Sequence, residues 1–126
     1  MILTDLSAYL VSQTVGTLGV DIFLGKLPSL PNRATSIIQS GGLPPLEDFS
    51  NLIERPRIQL LIRDSTYATS RMWAEQIYQT MMRIQNISLS STWYMKCEAD
   101  SAPILLERDE HGRPIFVINF ELWKEF

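Results

Sequence analysis

The chain is poor in the residues that carry chemistry: one cysteine and one histidine among 126 residues. A lone Cys97 excludes an intramolecular disulfide and a cysteine-built zinc site. In the run Trp93-Tyr94-Met95-Lys96-Cys97 strict alternation puts it on the face of Trp93 and Met95. There it reads as a small buried hydrophobe rather than a nucleophile. His111 lies beside Asp109, Glu110 and Gly112, with no serine, cysteine or second histidine at a recognisable spacing, so it reads as a solvated turn residue. Asp109 and Glu110 are adjacent and need not converge as an acid/base pair. No metal-ligand spacing occurs. Gly41-Gly42 follows a strand without a lysine or a third glycine, which makes it a turn and not a phosphate cradle. The expectation is no enzyme, no catalytic residue, no cofactor and no metal.

Positive charge is also scarce. The formal net charge is −3 and the pI about 5.1, and neither half of the chain is a basic arm, so there is no overall footprint for gripping phosphates. Arg55, Arg57, Arg63 and Arg71 are close in sequence, but Glu54, Asp64 and Glu75 stand among them as pairing partners, Glu75 one helical turn from Arg71. No apolar run is long enough to cross a bilayer. The first residues lack a basic region and are interrupted by Asp5, unlike a signal peptide. A reducing, aqueous compartment is expected, most simply a cytoplasm.

What is present is a core. Hydrophobic residues make up 45% and aromatics 10%, which places the chain among folded globules. Its length fits one domain over residues 1–126. The stretch from Glu54 to Gln85 organises it. Ile58, Leu60 and Ile62 alternate with Gln59, Leu61 and Arg63, the pattern of a strand covered on one face, and Pro56 suits its first residue. Ser65 is the expected cap of a following helix. Tyr67, Ser70, Arg71, Ala74, Ile77, Tyr78, Met81 and Ile84 recur at three- and four-residue steps and form the stripe that lies on the sheet. Trp73 falls off that stripe, which marks it as a contact with another chain, where tryptophan is enriched.

Before this stretch, residues 4–16 read as a helix ended by Gly16, Val20–Leu24 and Ala34–Ser40 as strands, and the segment with Pro28 and Pro31 as a loop. Gly41-Gly42-Leu43-Pro44-Pro45 breaks the second strand, and nothing regular resumes before Pro56. Such a loop is long for a compact domain, and it carries Leu43, Leu46, Phe49, Leu52 and Ile53, apolar groups that need either the protein's own sheet or a neighbour to cover them. After the helix, residues 87–89 read as a short strand or connector and Thr92–Glu98 as a strand. Ile104–Arg108, the turn at Asp109–Gly112 and Pro114–Phe120 read as a hairpin. Trp123 and Phe126 place two aromatics at a terminus that ordinarily frays. The sum is an α+β fold, a mixed β-sheet of about five or six strands with two α-helices packed on one face. The interface candidates are the Gly41–Ile53 loop, Arg63 at the end of the central strand, Trp73, Trp123 and Phe126. Truncation after Phe120 is predicted to leave a folded subunit that assembles poorly.

Four segments in order, Ile22-Phe23-Leu24-Gly25-Lys26-Leu27-Pro28, Ile38-Gln39-Ser40-Gly41-Gly42-Leu43-Pro44-Pro45, Arg55 to Arg63 with Tyr67-Ala68, and Asp109 to Phe120, resemble the phage minor capsid or tail terminator family of tailed bacteriophages. The likeness runs from about Leu18 to Phe120; Leu46 to Ile53 matches no pattern of it. The resemblance implies a structural virion protein of the tail or neck, assembled in the host cytoplasm. It implies a homo-oligomer, a hexameric ring that caps the tail tube, stops its polymerisation and joins tail to head. Its partners would be the major tail tube protein and head-completion or connector proteins, with genomic DNA passing through the lumen without specific binding. Two other readings stay open, a head-completion or connector protein and a cytoplasmic adaptor outside the virion.

Overall fold

The computed structural model describes residues 2–13, 15–47 and 52–125, and of residues 42–47 and 52 the backbone alone. The elements in chain order are α1 (Ile2–Ser12), β1 (Ile22–Leu24), β2 (Ala34–Glu47), β3 (Leu52–Arg63), α2 (Tyr67–Met81), β4 (Gln85–Leu89), β5 (Thr92–Ala99), β6 (Ile104–Arg108) and β7 (Pro114–Glu125). The strands form one mixed sheet in the order β1-β2-β3-β7-β5-β4, with β6 also on β7. Only β1 and β2 run parallel. β5 and β6 share one side of β7, β6 pairing with residues 114–117 and β5 with residues 120–124. The sheet therefore has five strands abreast at one level, β1-β2-β3-β7-β6.

The expected α+β class holds, and the alternation in β3 faces the way the sequence implies: Ile58, Leu60 and Ile62 are fully buried. Both helices close over them in one hydrophobic core that includes Leu6 and Leu10 of α1, Ala74, Ile77 and Met81 of α2, and Phe116, Ile118, Phe120 and Leu122 of β7. Two tyrosines tie α1 down. Tyr9 donates its hydroxyl to Thr80 O at 2.9 Å, and Tyr94 donates to Asp5 Oδ2 at 2.8 Å. Burial, then the bond to the Asp5 carboxylate, raises the Tyr94 pKa, so the phenol stays protonated and the bond persists.

Several local expectations are corrected. The first helix spans Ile2–Ser12 rather than residues 4–16. Gly16 lies beyond it, at φ +112°, where an added Cβ would sit 2.8 Å from Ile22 Cδ1. The cap of α2 is Thr66, not Ser65: Thr69 N–H donates to Thr66 Oγ1 and Thr66 N–H to Thr69 Oγ1, a capping box built from two threonines. Ser65 N–H is bound by Asp64 Oδ1 at 2.7 Å. In β5 the register slips against β7 between Tyr94 and Lys96. That bulge puts both Tyr94 and Cys97 inward and leaves Trp93 exposed, whereas unbroken alternation put Trp93 in and Tyr94 out.

The largest correction concerns residues 41–55. Gly41 to Pro45 does not break the strand. β2 runs on to Glu47 and β3 begins at Leu52, with Gly42 opposite Pro56, Leu43 opposite Arg55, and Leu46 opposite Ile53. The register shifts fall between Gln39 and Gly42 and between Leu43 and Leu46, so the glycine pair and the proline pair each sit at an irregularity. β1 covers only residues 35–37 of β2, which leaves the outer side of this part of β2 an edge. An edge strand is where a residue without an N–H interrupts no ladder.

Candidate interaction site

The residues singled out from sequence go to different places. Trp73 is buried: its Nε1 donates to Thr35 Oγ1 at 2.9 Å, and the Arg33 guanidinium stands 4.8 Å over its ring while bonding Asp64 at 2.8 Å. The stripe is rotated relative to the sequence reading, with Ser70, Trp73, Ala74, Ile77, Thr80 and Met81 inward and Tyr67 and Arg71 outward. The ring of Trp73 is therefore used within the subunit. Arg63 is buried too, donating from Nε to Asn32 O at 3.1 Å and from Nη2 to Pro31 O at 2.6 Å. Trp123 is half-buried, its ring between Lys96 Nζ at 4.3 Å and Arg55 Cζ at 5.6 Å. Ile53 is half-buried at the start of β3. Of Leu43, Leu46 and Leu52 the backbone alone is described, as strand, and Phe49 and Phe126 lie outside the described residues.

Arg63 belongs to a brace that sequence spacing does not reveal. Arg113, also buried, donates from Nε to Asp109 Oδ2 at 2.7 Å and from Nη1 to Ser29 O at 2.6 Å and Asn32 Oδ1 at 3.2 Å. The two arginines, 50 positions apart in the numbering, thus fix residues 29–32 against the β6–β7 turn. Desolvation pushes the Asp109 carboxyl up, but the hydrogen bonds from Arg113 N–H, the Arg113 guanidinium and His111 N–H, with the Arg113 charge, outweigh it and hold the group below its usual range. The braced loop carries Leu30, 74% exposed.

β6 presents three consecutive aliphatic residues on the surface. All five of its residues are exposed, and among the described residues it pairs with β7 alone. A bare strand edge flanked by aliphatic side chains is a template for contact with another chain. Register ties this edge to the opposite one. Ile22, Thr35, Ile62, Phe116 and Leu105 follow one another across the sheet on the helix-covered face, and a bridge from Ile22 to Leu18 adds a sixth position. On the other face the row is Phe23, Ser36, Leu61, Val117 and Ile104. The signal available in sequence is three consecutive aliphatic residues, Ile104-Leu105-Leu106, which break the alternation of a strand with one covered face. By spacing alone they form one arm of a hairpin, and nothing in the spacing marks them as a surface.

Among the described residues no three His, Cys, Asp or Glu side chains group as metal ligands. Cys97 is buried, and burial raises its thiol pKa well above the ordinary value. His111 is exposed in the turn, 3.6 Å from Glu110. No helix among the described residues is long and apolar enough to cross a membrane.

These features define a structural α+β subunit whose exposed specialisations are an aliphatic strand edge and a braced loop. The chain belongs to the bacteriophage tail terminator protein family, whose profile matches residues 9–125, and it is a structural tail protein of the virion. Its fold is similar to that of a chain in the virion of a native gene transfer agent (GTA) particle, with a TM-score of 0.66 at 11% identity over 96% of this chain and 84% of that one. No curated protein matches the sequence.

Proposed function

We propose that six copies of this domain, residues 1–126, close into a ring that seats on the end of a finished tail tube, stops its growth and presents the surface to which the head connector joins. The role is one of binding and geometry, with no catalytic step. The observation that carries this reading is the bare edge of β6 in a chain of the tail terminator family. A subunit that must meet identical neighbours in a closed ring needs a heterologous contact, which uses two different patches of one surface, and an unpaired strand edge is ready material for one of them. The net charge of −3 suits a collar through which DNA slides, since attraction to phosphates would retard passage.

The test has two parts. The purified protein is expected to give a ring of six by mass and by negative-stain imaging, alone or with tail-tube subunits. Particles assembled without it are expected to carry tubes of uncontrolled length and no attached heads. Tubes of normal length with heads missing would place the chain in the connector layer instead. Normal particles would remove it from the neck altogether.

A further inference from the structure

The two edges of the five-strand row are chemically different and point away from each other. At one edge Ile104, Leu105 and Leu106 are 55, 40 and 52% exposed. At the other, the turn after α1 folds back on β1, with Gly19 N–H donating to Ile22 O at 2.8 Å and Ile22 N–H to Thr17 O at 3.1 Å. Those bonds occupy the outward backbone groups of Ile22, so a contact at that position is made by side chains. Beside that turn lies a groove of about 390 Å³ between α1 and Leu18, lined by Thr4, Ser7, Ala8, Val11, Ser12 and Leu18, none of them ionisable. Val11, Leu18 and Val20 are 40, 50 and 60% exposed.

We propose that β6 of one copy packs its aliphatic side chains into the α1–Leu18 groove of the next, and that this is the contact joining neighbours in the ring. The inference rests on the ring reading and names its interface. A second copy is the occupant for three reasons. First, the two patches end one row, about 24 Å apart at ~4.8 Å per strand step, so a single chain cannot bring its own together. Second, the groove and the Ile104–Leu106 run are both free of charge, so no ionised group is stripped of water when they meet. Third, the six exposed side chains offer on the order of 500 Å² of apolar surface. A specific contact of about 1,000 Å² is a little over half apolar, so the two patches together supply its apolar part. The patches are not copies of each other, which makes the contact head-to-tail and able to close.

The test uses the full chain in three forms: unaltered, Leu105→Glu/Leu106→Glu, and Leu18→Glu. All three altered sites are exposed, so circular dichroism melts are expected to stay within a few degrees of the unaltered chain. Each variant alone is expected to remain monomeric at concentrations at least tenfold above those at which the unaltered chain assembles. Mixed one to one, the variants keep a single compatible pair of surfaces, and native mass spectrometry is expected to show a heterodimer and nothing larger. If the double variant folds poorly, Leu106→Ser mixed with Leu18→Glu carries the same expectation with weaker loss. Either variant forming normal rings, or the mixture forming no heterodimer while the unaltered chain forms rings, overturns this interface and leaves the ring standing. Variant rings that no longer bind tail tubes would assign β6 to the tube subunit instead. An unaltered chain that is monomeric both in solution and on particles would overturn the ring itself, and this interface with it.

Discussion

The end of β7 gives the sharpest test of the packing described here. Leu122 is fully buried and stands opposite Cys97 of β5, between the sheet and the helices. Replacing it with alanine removes three buried carbons and leaves a cavity, a change that costs about 2–5 kcal/mol in comparable cores. With a melting-temperature shift of roughly 3–6 °C per kcal/mol for a domain of this size, Leu122→Ala is expected to lower Tm by about 6–30 °C. Truncation after Phe120 removes Leu122 and more: the pairings of β7 with Ile53, Glu54 and Arg57 of β3 and with Tyr94, Lys96, Cys97 and Glu98 of β5, the Lys124–Glu54 ion pair, and the tryptophan between two cations. It is expected to destabilise at least as much as Leu122→Ala, giving loss of soluble monomer rather than the folded, poorly assembling subunit that the sequence implied. Thermal melts by circular dichroism, with light scattering to detect aggregation, decide the matter. A truncated chain that melts cooperatively within a few degrees of the full one would show that residues 121–125 add little to the core and would make them a docking tail.

Trp73→Phe keeps an aromatic ring but removes both the donor to Thr35 and the buried pyrrole half of the indole, and is expected to cost at least about 1–3 kcal/mol in urea unfolding; an unchanged midpoint would mean that neither the bond nor the packing contributes. The Asp109 carboxyl is held below its usual range by Arg113 and His111 N–H, so its contribution is complete above the ordinary carboxylate pKa of about 3.9 and is lost as pH falls through the lower folded value. Asp109→Asn is therefore expected to flatten the acid limb of the stability profile below about pH 4 and to leave that limb's shape above pH 5 unaltered. Cys97 is expected to ignore a thiol reagent at pH 8 until denaturant opens the core, when it reacts at the rate of a free thiol; fast labelling of the native protein would show the core near β5 to be open. Gly16→Ala, at φ +112° with Ile22 Cδ1 in the way, is expected to destabilise by more than about 1 kcal/mol.

Elements governed by local periodicity were legible in the sequence. Ile58, Leu60 and Ile62 announce β3, and Ala74, Ile77 and Met81 announce the inner face of α2, because alternation and the helical repeat are properties of neighbouring residues. What escaped depends on partners far along the chain. Gly41-Gly42 and Pro44-Pro45 are breakers by composition, but they stop nothing on an edge that β1 leaves uncovered. One bulge at Met95 exchanged the fates of Trp93 and Tyr94. Trp73 falls off the stripe read from sequence because that stripe is centred about half a residue step, roughly 50°, from the face that is buried, although Ser70, Ala74, Ile77 and Met81 belong to both. Arg63 was legible as the last residue of a strand, but its burial depends on Pro31 and Asn32, thirty residues earlier, and no spacing rule connects them. The candidate surface escaped in the same way. Ile104, Leu105 and Leu106 become conspicuous only once β6 is known to have β7 on one side and, among the described residues, no strand on the other.

β7 touches β3, β5 and β6, yet it is made after all of them. Until it leaves the ribosome, β3 has one unmatched side, β5 and β6 have no common neighbour, and the Arg113 brace does not exist. The sheet can close only when its last strand arrives, by inserting that strand between partners already waiting. A nascent chain therefore lacks the β6 flank, and completed subunits alone carry both surfaces through which copies recognise one another.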